Sequence, residues 1–218
     1  MAAVLLAGIL AGVPSLEAAE LNPAKWAKDI AEFEAMDRTN RPPKGAVLFV
    51  GSSTIRFWTN LAADFPDLKT IRRGFGGSYM PDVTYFAGRI VIPYQPSKIV
   101  IYAGDNDIGA GRSPEQVYED FRELVKKVQT ALPKTKIYYL AIKPSPSRWH
   151  LSPQSSEANR LIRRFCRMHR NTEFVDIWTP TLGADGQPDP SLFEKDNLHV
   201  NKQGYARWTS VIREALKD

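Results

Sequence analysis

The sequence predicts an α/β protein in which a five-stranded parallel β-sheet lies between two layers of helices. Five short apolar segments alternate with amphipathic helical segments along the 218 residues. The apolar segments are continuous rather than interleaved with polar residues, which is typical of strands covered on both faces. Hydrophobic residues make up 43% of the chain, enough for one substantial core. We therefore expect a single domain over residues 21–218.

The N-terminal half supplies three of the predicted strands. Residues 22–36 carry apolar side chains at helical spacing, and a Pro-Pro-Lys-Gly sequence then ends the helix. Apolar segments predict strands at 46–50, 68–72 and 98–102, and helical spacing resumes at 55–58. Each of these strands is followed by a glycine-rich or polar loop, so the loops are candidates for a functional site.

The C-terminal half completes the alternation. Ser113 and Pro114 form a good helix start, and apolar residues between 117 and 132 line one face of the helix that follows. The remaining predicted elements are strands at 136–142 and 174–178 and helices at 157–168 and 202–216. A proline-rich loop at 143–153 and a polar, turn-rich stretch at 183–190 separate them.

Charge and cysteine content exclude several functional classes. The formal net charge is +5, but Lys and Arg are spread along the chain without a basic run, so we expect no nucleic-acid partner. The single cysteine, Cys166, excludes an internal disulfide, and its apolar neighbours indicate a buried position. With only three histidines and no His-x-x-x-His pair, the sequence predicts no metal site.

The first 20 residues differ from the rest of the chain. An uncharged, small and apolar segment at 2–13 precedes Pro14, Ser15 and Ala18, which is typical of a secretory signal peptide. We therefore expect a secreted or periplasmic protein, although no Lys or Arg precedes the apolar segment. The alternative is a hydrophobic N-terminal helix that packs on the domain. No other segment has transmembrane length, so we expect no integral membrane association.

Four polar clusters could meet at one edge of the predicted sheet. Ser53, Gly77 and Asn106 follow the first three strands, and Asp196 and His199 precede the last helix. In parallel sheets, functional sites form beyond the carboxyl ends of the strands, near the point where the strand order reverses. The clusters are therefore predicted to form one site.

These residue types fit nucleophilic catalysis by a serine. The Ser53 hydroxyl needs a base, and His199 can serve if Asp196, three residues earlier, binds its other ring nitrogen. The backbone N–H groups of Ser53 and Gly77 and the amide of Asn106 could bind the oxyanion of a tetrahedral intermediate. Each element alone is common in loops, so the prediction depends on their order and position.

The same four segments resemble the signature blocks of the SGNH hydrolases, also called the GDSL esterase/lipase family. LFVGSSTIRFW (48–58) resembles the nucleophile block, RGFGGS (73–78) the glycine block, GDND (104–107) the asparagine block, and DNLH (196–199) the final block. The resemblance runs in the correct order from about residue 46 to the C-terminus. It implies a flavodoxin-like, three-layer fold, an ester hydrolase, and no cofactor.

The sequence departs from the family pattern beside the nucleophile. The usual Gly-Asp-Ser is Gly-Ser-Ser here, so Ser52 occupies the Asp position and competes with Ser53 as nucleophile. Alignment with Val50-Gly51 favours Ser53. Ser78 likewise stands where many members have Asp.

The resemblance implies a carboxylic ester as substrate, and we expect short acyl groups, such as O-acetyl on a carbohydrate. No segment between the blocks resembles a long apolar tunnel or a lid. Arg148, Trp149 and Ser78 are candidates for substrate binding. Two alternatives stay open: a thioesterase or lysophospholipase with the same triad, and a non-catalytic carbohydrate-binding module. A phosphate-binding protein is disfavoured because the glycine and lysine spacing does not fit.

Overall fold

A computed structural model, which describes residues 22–217, contains one five-stranded parallel sheet with the strand order β2-β1-β3-β4-β5. The strands are β1 (Val47–Gly51), β2 (Thr70–Gly74), β3 (Lys98–Tyr102), β4 (Lys136–Leu140) and β5 (Thr172–Val175). Val47 at the start of β1 is paired with Thr70 on one side and Lys98 on the other. The predicted fold class is confirmed.

Eight α-helices accompany the sheet within the described residues. They are α1 (Ala27–Thr39), α2 (Ser53–Phe57), α3 (Leu61–Asp64), α4 (Met80–Ile90), α5 (Asp105–Gly109), α6 (Pro114–Ala131), α7 (Ser152–Met168) and α8 (Lys202–Ala215). Short 3₁₀ helices connect several of them, including Pro23–Trp26 before α1 and Pro146–Leu151 before α7.

The sheet separates two hydrophobic cores, and alternate residues of each strand point into one or the other. Leu48 and Val50 of β1 face the core formed with α1, α4, α6 and α7. Val47 and Phe49 face the core formed with α8 and the segment around α2 and α3. The crossover from β1 to β2 thus lies on one face and the later crossovers on the other. The strand order reverses between β1 and β3, which places the switch point there.

Helix α1 is attached to the edge of the sheet by a buried polar cluster. The Arg73 guanidinium of β2 forms an ion pair with Asp37 of α1 and donates from Nε to the Tyr94 hydroxyl at 2.8 Å. The guanidinium also lies 5.1 Å from the centre of the Phe33 ring. Since a buried charge is stable only when it is paired and hydrogen-bonded, this cluster makes α1 part of the folded structure.

Several predicted boundaries were wrong. The predicted first helix (22–36) is a 3₁₀ turn at Pro23–Trp26 followed by α1, and the last predicted strand begins at Thr172 rather than at 174. Helix α7 begins at Ser152, five residues before the predicted start at 157, because proline is tolerated in the first turn of a helix. Helix α4 was not predicted, although it buries Met80, Val83 and Phe86 at helical spacing.

The predicted signal peptide, residues 1–20, lies outside the described residues and stays a prediction. Between residues 22 and 217, no helix combines the length and the apolar character that crossing a membrane requires.

Candidate active site

The predicted serine lies at a sharp turn between β1 and α2. Gly51 ends β1 with a φ of +145°, and a Cβ atom there would lie 1.9 Å from the Tyr102 backbone oxygen of β3. Only glycine therefore fits the position. Ser52 follows in an extended conformation, and Ser53 is the first residue of α2. The turn presents the Ser53 hydroxyl beyond the carboxyl ends of the central strands.

Ser53, His199 and Asp196 form a chain of hydrogen bonds. The Ser53 Oγ is 2.9 Å from His199 Nε2, and His199 Nδ1 is 2.6 Å from Asp196 Oδ2. The second carboxylate oxygen of Asp196 accepts the backbone N–H groups of Leu198 and His199, each at 2.9 Å. The structure thus brings together the three predicted residues although 143 positions separate Ser53 from Asp196 along the chain.

The carboxylate of Asp196 fixes the imidazole in the form that a base requires. Partial burial by itself would raise the pKa of Asp196, but hydrogen bonds from the His199 ring and from the N–H groups of Leu198 and His199 lower it to about 2. An ionised carboxylate accepts a proton-bearing Nδ1, which leaves Nε2 free to accept from the Ser53 hydroxyl. The face of His199 is further restricted by the Phe57 ring, 4.9 Å away in an edge-to-face arrangement.

The rival serine is oriented differently. The Ser52 side chain is fully buried, and its Oγ has no hydrogen-bond partner in the described part of the chain. The Ser52 backbone is fully engaged, because its N–H donates to Tyr102 and its carbonyl accepts from Ile55 and Arg56. The geometry therefore favours Ser53 over Ser52, while the catalytic role of Ser53 stays a prediction.

The three predicted oxyanion donors have hydrogens that the fold leaves available. The N–H of Ser53 cannot be bonded within α2, since Ser53 is the first residue of that helix, and neither it nor the N–H of Gly77 has an acceptor among residues 22–217. The glycine loop lies beside the serine, because a Cβ on Gly76 would be 4.0 Å from the Ser53 Cβ. Asn106 uses one amide hydrogen to donate to the Ser78 carbonyl at 3.2 Å and keeps the other.

The sequence analysis missed Trp26 as a residue of this site. Its indole Nε1 donates to the Gly76 carbonyl at 2.9 Å. The Gly76 carbonyl and the Gly77 N–H belong to the same peptide group and point in opposite directions. The bond from Trp26 therefore directs the Gly77 N–H away from the indole. The helical spacing of Trp26 in the sequence indicated only a core residue. No local sequence signal distinguishes a core tryptophan from one that also binds the Gly76 carbonyl.

The two aspartates that flank Asn106 hold its loop. Asp107 accepts the Met80 N–H, with oxygens at 3.1 and 3.3 Å, which joins the Asn106 loop to the start of α4. Burial raises the pKa of Asp107 to about 7. Asp105 pairs with the buried Lys143 at 3.0 Å, a contact that the sequence analysis also missed. Burial would raise the pKa of Asp105, but the charges of Lys143 and Arg148 outweigh it and lower the pKa.

The three predicted substrate-binding residues have different surroundings. The Arg148 guanidinium is bonded to the Asn106 side chain and the Asp105 carbonyl. The Trp149 ring packs at 6.2 Å from the Trp178 ring. Ser78 is fully buried, so its side chain has no access to the candidate site, and its carbonyl instead accepts from Asn106. The structure therefore places Arg148 at the site and Ser78 beneath it.

The cysteine and the other two histidines lie outside the site. Cys166 is buried as expected, and burial raises the pKa of its thiol to about 12. The His169 ring stacks on Phe165, and His150 is exposed. Among residues 22–217, no group of His, Cys, Asp and Glu has the arrangement of a metal site.

A groove of about 350 Å³ opens beside His199. Its walls combine the rings of Phe57, Trp58 and Tyr205 and the Val200 side chain with a set of polar side chains. The polar set comprises Thr59, Asn60, Asp64, Glu194, Asn201 and Lys202. A molecule bound in this groove would contact His199 and Asp196, whereas Ser53 is not among the lining residues.

Comparison with known proteins identifies a related family. Residues 47–207 match the sequence model of the GDSL-like lipase/acylhydrolase family. The chain is also similar to the GDSL esterase/lipase WDL1 of Oryza sativa subsp. japonica, with 23% identity over 210 residues that cover 81% of this chain and 80% of the rice protein.

Solved structures share the fold. A GDSL-like lipase from Bacteroides thetaiotaomicron superposes with a TM-score of 0.72 and 19% identity, covering 85% of this chain and 96% of the other. A point-mutated form of Axe2, an acetyl-xylooligosaccharide esterase from Geobacillus stearothermophilus, superposes with a TM-score of 0.66 and 15% identity, covering 81% and 96%.

Proposed function

The chain belongs to the GDSL-like lipase/acylhydrolase family and is an ester hydrolase, and from this premise we propose that Ser53, His199 and Asp196 hydrolyse short-acyl esters of polar alcohols. An O-acetyl group on a carbohydrate is the substrate we favour. The observation that carries the proposal is the pair of hydrogen bonds that joins the three side chains, at 2.9 and 2.6 Å.

In the proposed acylation step, the Ser53 Oγ attacks the carbonyl carbon of the ester while its proton passes to His199 Nε2. Asp196 stabilises the resulting imidazolium through Nδ1. The tetrahedral intermediate then collapses, the C–O bond to the alcohol breaks, and the alcohol leaves with the proton from Nε2. Water, deprotonated by the same nitrogen, attacks the acyl-serine. The acyl C–Oγ bond then breaks, Oγ recovers its proton from Nε2, and the carboxylic acid is released.

The negative charge of each tetrahedral intermediate falls on the former carbonyl oxygen. The N–H groups of Ser53 and Gly77 and the remaining amide hydrogen of Asn106 are the donors available to it. Removing one such donor typically costs about 3 kcal/mol of transition-state stabilisation. Because the donors are held by the backbone and by buried contacts, little reorganisation is needed when the charge develops.

The preference for polar alcohols, such as sugars, is supported by the groove beside His199. Polar side chains such as Asn60, Glu194 and Lys202 line the groove together with the aromatic rings of Phe57, Trp58 and Tyr205. Aromatic rings beside hydrogen-bonding side chains suit the binding of a sugar ring. The fold similarity to an acetyl-xylooligosaccharide esterase agrees with this proposal.

The experiment is hydrolysis of p-nitrophenyl acetate, butyrate and octanoate by the wild type, Ser53→Ala and Ser52→Ala, followed by release of acetate from acetylated xylo-oligosaccharides. We expect turnover to fall at least about 10³-fold in Ser53→Ala, to survive in Ser52→Ala, and to be fastest on acetate. The Ser52→Ala protein is the matched control, because it removes a neighbouring hydroxyl that does not contact His199.

Other outcomes would select the alternatives. Loss of activity in Ser52→Ala alone would assign the nucleophile to Ser52. Faster turnover of octanoate, of acyl thioesters or of lysophospholipid would replace the short-acyl proposal with a thioesterase or lysophospholipase. Binding of carbohydrate without turnover of any ester would indicate a non-catalytic module.

A further inference from the structure

Arg148 connects the loop after β4 to the loop after β3. It lies in the 3₁₀ segment Pro146–Leu151, and its Nη1 donates to the Asp105 carbonyl at 2.8 Å. Both terminal nitrogens reach the same oxygen of Asn106, with Nη1 at 3.3 Å and Nη2 at 3.2 Å from Oδ1. The guanidinium therefore binds the amide that is a candidate oxyanion donor.

These contacts determine which way the Asn106 amide faces. Its oxygen accepts from the guanidinium, and its nitrogen donates to the Ser78 carbonyl at 3.2 Å. Reversing the amide would place its NH₂ group against the cation and its oxygen against another carbonyl oxygen. Both contacts would then be repulsive, so the two together specify one orientation.

The position of Arg148 is itself restricted. Its side chain is only 26% exposed and lies 3.5 Å from the Asp105 carboxylate, which also pairs with Lys143. The guanidinium lies across the end of α5, where a Cβ on Gly109 would be 3.1 Å from the Arg148 Cζ. The absence of a side chain at Gly109 thus leaves room for the guanidinium to reach Asn106.

We propose that Arg148 is a positioning residue of the oxyanion hole. It binds the Asn106 side-chain oxygen and thereby keeps the amide Nδ2 directed at the developing negative charge. This inference rests on the proposed function. A cation on the amide oxygen also draws electron density from the nitrogen and strengthens its N–H as a donor. Arg148 would therefore act through Asn106, without touching the substrate.

A role of this kind has a specific kinetic signature. An interaction made only in the transition state changes kcat and leaves KM nearly unchanged. The test is a double-mutant cycle on p-nitrophenyl acetate with Arg148→Ala, Asn106→Ala and the double variant. We expect kcat to fall about 100- to 1,000-fold in Asn106→Ala. In Arg148→Ala we expect a fall of about 10- to 50-fold, because the Ser78 contact still restrains the amide.

The decisive value is that of the double variant. If Arg148 acts through Asn106, the double variant will be no slower than Asn106→Ala. Arg148→Lys keeps the charge but loses the forked geometry, so its kcat should lie between those of Arg148→Ala and the wild type. It also serves as the test protein if Arg148→Ala does not fold. Arg163→Ala is the matched control, since Arg163 also pairs with an aspartate, Asp176, but lies outside the site.

Two results would overturn the proposal. Losses that multiply in the double variant would show that the two residues act independently. A raised KM for esters with an anionic group, at unchanged kcat, would make Arg148 a substrate-binding residue. Failure of the proposed function is separable from both, because it would appear as turnover that survives in Ser53→Ala whatever the Arg148 variants do.

Discussion

Replacing Asp196 by Asn tests the orientation of the proposed base. Asn keeps an oxygen that can accept the N–H groups of Leu198 and His199, as Asp196 does at 2.9 Å. Its NH₂ group, however, would face His199 Nδ1, which must then be unprotonated to accept. The ring proton would move to Nε2, which faces the Ser53 hydroxyl at 2.9 Å and could no longer take its proton.

The size of the effect follows from the exposure of the carboxylate. A fully buried aspartate in this role can contribute about 10⁴-fold to kcat. The Asp196 side chain is 49% exposed, so water screens its charge and can partly replace it. We therefore expect kcat/KM on p-nitrophenyl acetate to fall by about 10²- to 10³-fold, equivalent to about 2.7–4.1 kcal/mol.

Asp176→Asn provides the matched control. Asp176 also accepts two backbone N–H groups with one oxygen, those of Trp178 and Thr179 at 3.0 Å, but its partners on the other oxygen are Arg163 and Thr179. The two variants should lose similar stability in thermal unfolding, while only Asp196→Asn should lose activity. A loss below about tenfold in Asp196→Asn, or an equal loss in Asp176→Asn, would refute the reasoning.

Three further predictions concern other parts of the structure. In Trp26→Phe, which removes the donor to Gly76 but keeps an aromatic ring, kcat should fall about 5- to 20-fold at unchanged KM in the same ester assay. The pKa of Asp107 is about 7 in the folded protein and near 3.8 in the unfolded chain, so the native state binds this proton more tightly. The stabilisation that protonated Asp107 contributes is therefore present below pH 4 and lost as the pH rises through 7. Measured by urea unfolding, the free energy of unfolding of the wild type relative to Asp107→Asn should therefore decline by up to about 4 kcal/mol between pH 4 and pH 8. Gly51→Ala should destabilise the protein by more than about 3 kcal/mol because its Cβ would overlap the neighbouring strand, whereas Gly88→Ala, on an open helical surface, should stabilise it by about 0.5–1 kcal/mol.

Each of these predictions has a contrary outcome. Unchanged kcat in Trp26→Phe would mean that the indole does not orient the Gly77 N–H. A pH-independent difference between the wild type and Asp107→Asn would mean that this carboxyl ionises normally in the folded protein. A Gly51→Ala protein as stable as Gly88→Ala would show that the strand end can move away from β3.

The sequence was sufficient for the sheet and for the residues at its carboxyl edge. Short apolar segments located all five strands with end errors of at most three residues, because such segments are typical of strands covered on both faces. The serine, histidine and aspartate were found because each lies in a short segment with its own pattern of neighbours. The strand order places the Ser53 and Asn106 loops, after β1 and β3, side by side. The segment with Asp196 and His199 is held at Ser53 by α8, whose Tyr205 hydroxyl donates to the Thr54 carbonyl at 2.8 Å.

The residues that hold the site could not be found in this way. Trp26 and Lys143 lie in segments with no local signature of function, and each makes its contact with a residue 38 or more positions away along the chain. Arg148 was a candidate for substrate binding, but its contact with the Asn106 loop was not predicted. Buried Lys143 is an example, because a lysine after a strand is normally exposed. Only the tertiary arrangement shows that Asp105 compensates its charge. Helix α4 was missed for a different reason, since a proline and a glycine interrupt an otherwise regular apolar pattern.

The indole bond from Trp26 to Gly76 has a consequence for the choice of a minimal recombinant fragment. The family match spans 47–207, and a fragment cut at those limits would contain every proposed catalytic and oxyanion residue. It would nevertheless lack Trp26. It would also lack Asp37 of α1, which pairs with the buried Arg73, and the last two turns of α8, including the buried Ile212. Such a fragment would expose core residues that α1 and α8 cover. The glycine loop (residues 73–78) would lose its hydrogen bond from Trp26. The segment needed for a stable and active protein is therefore longer than the segment that matches the family model.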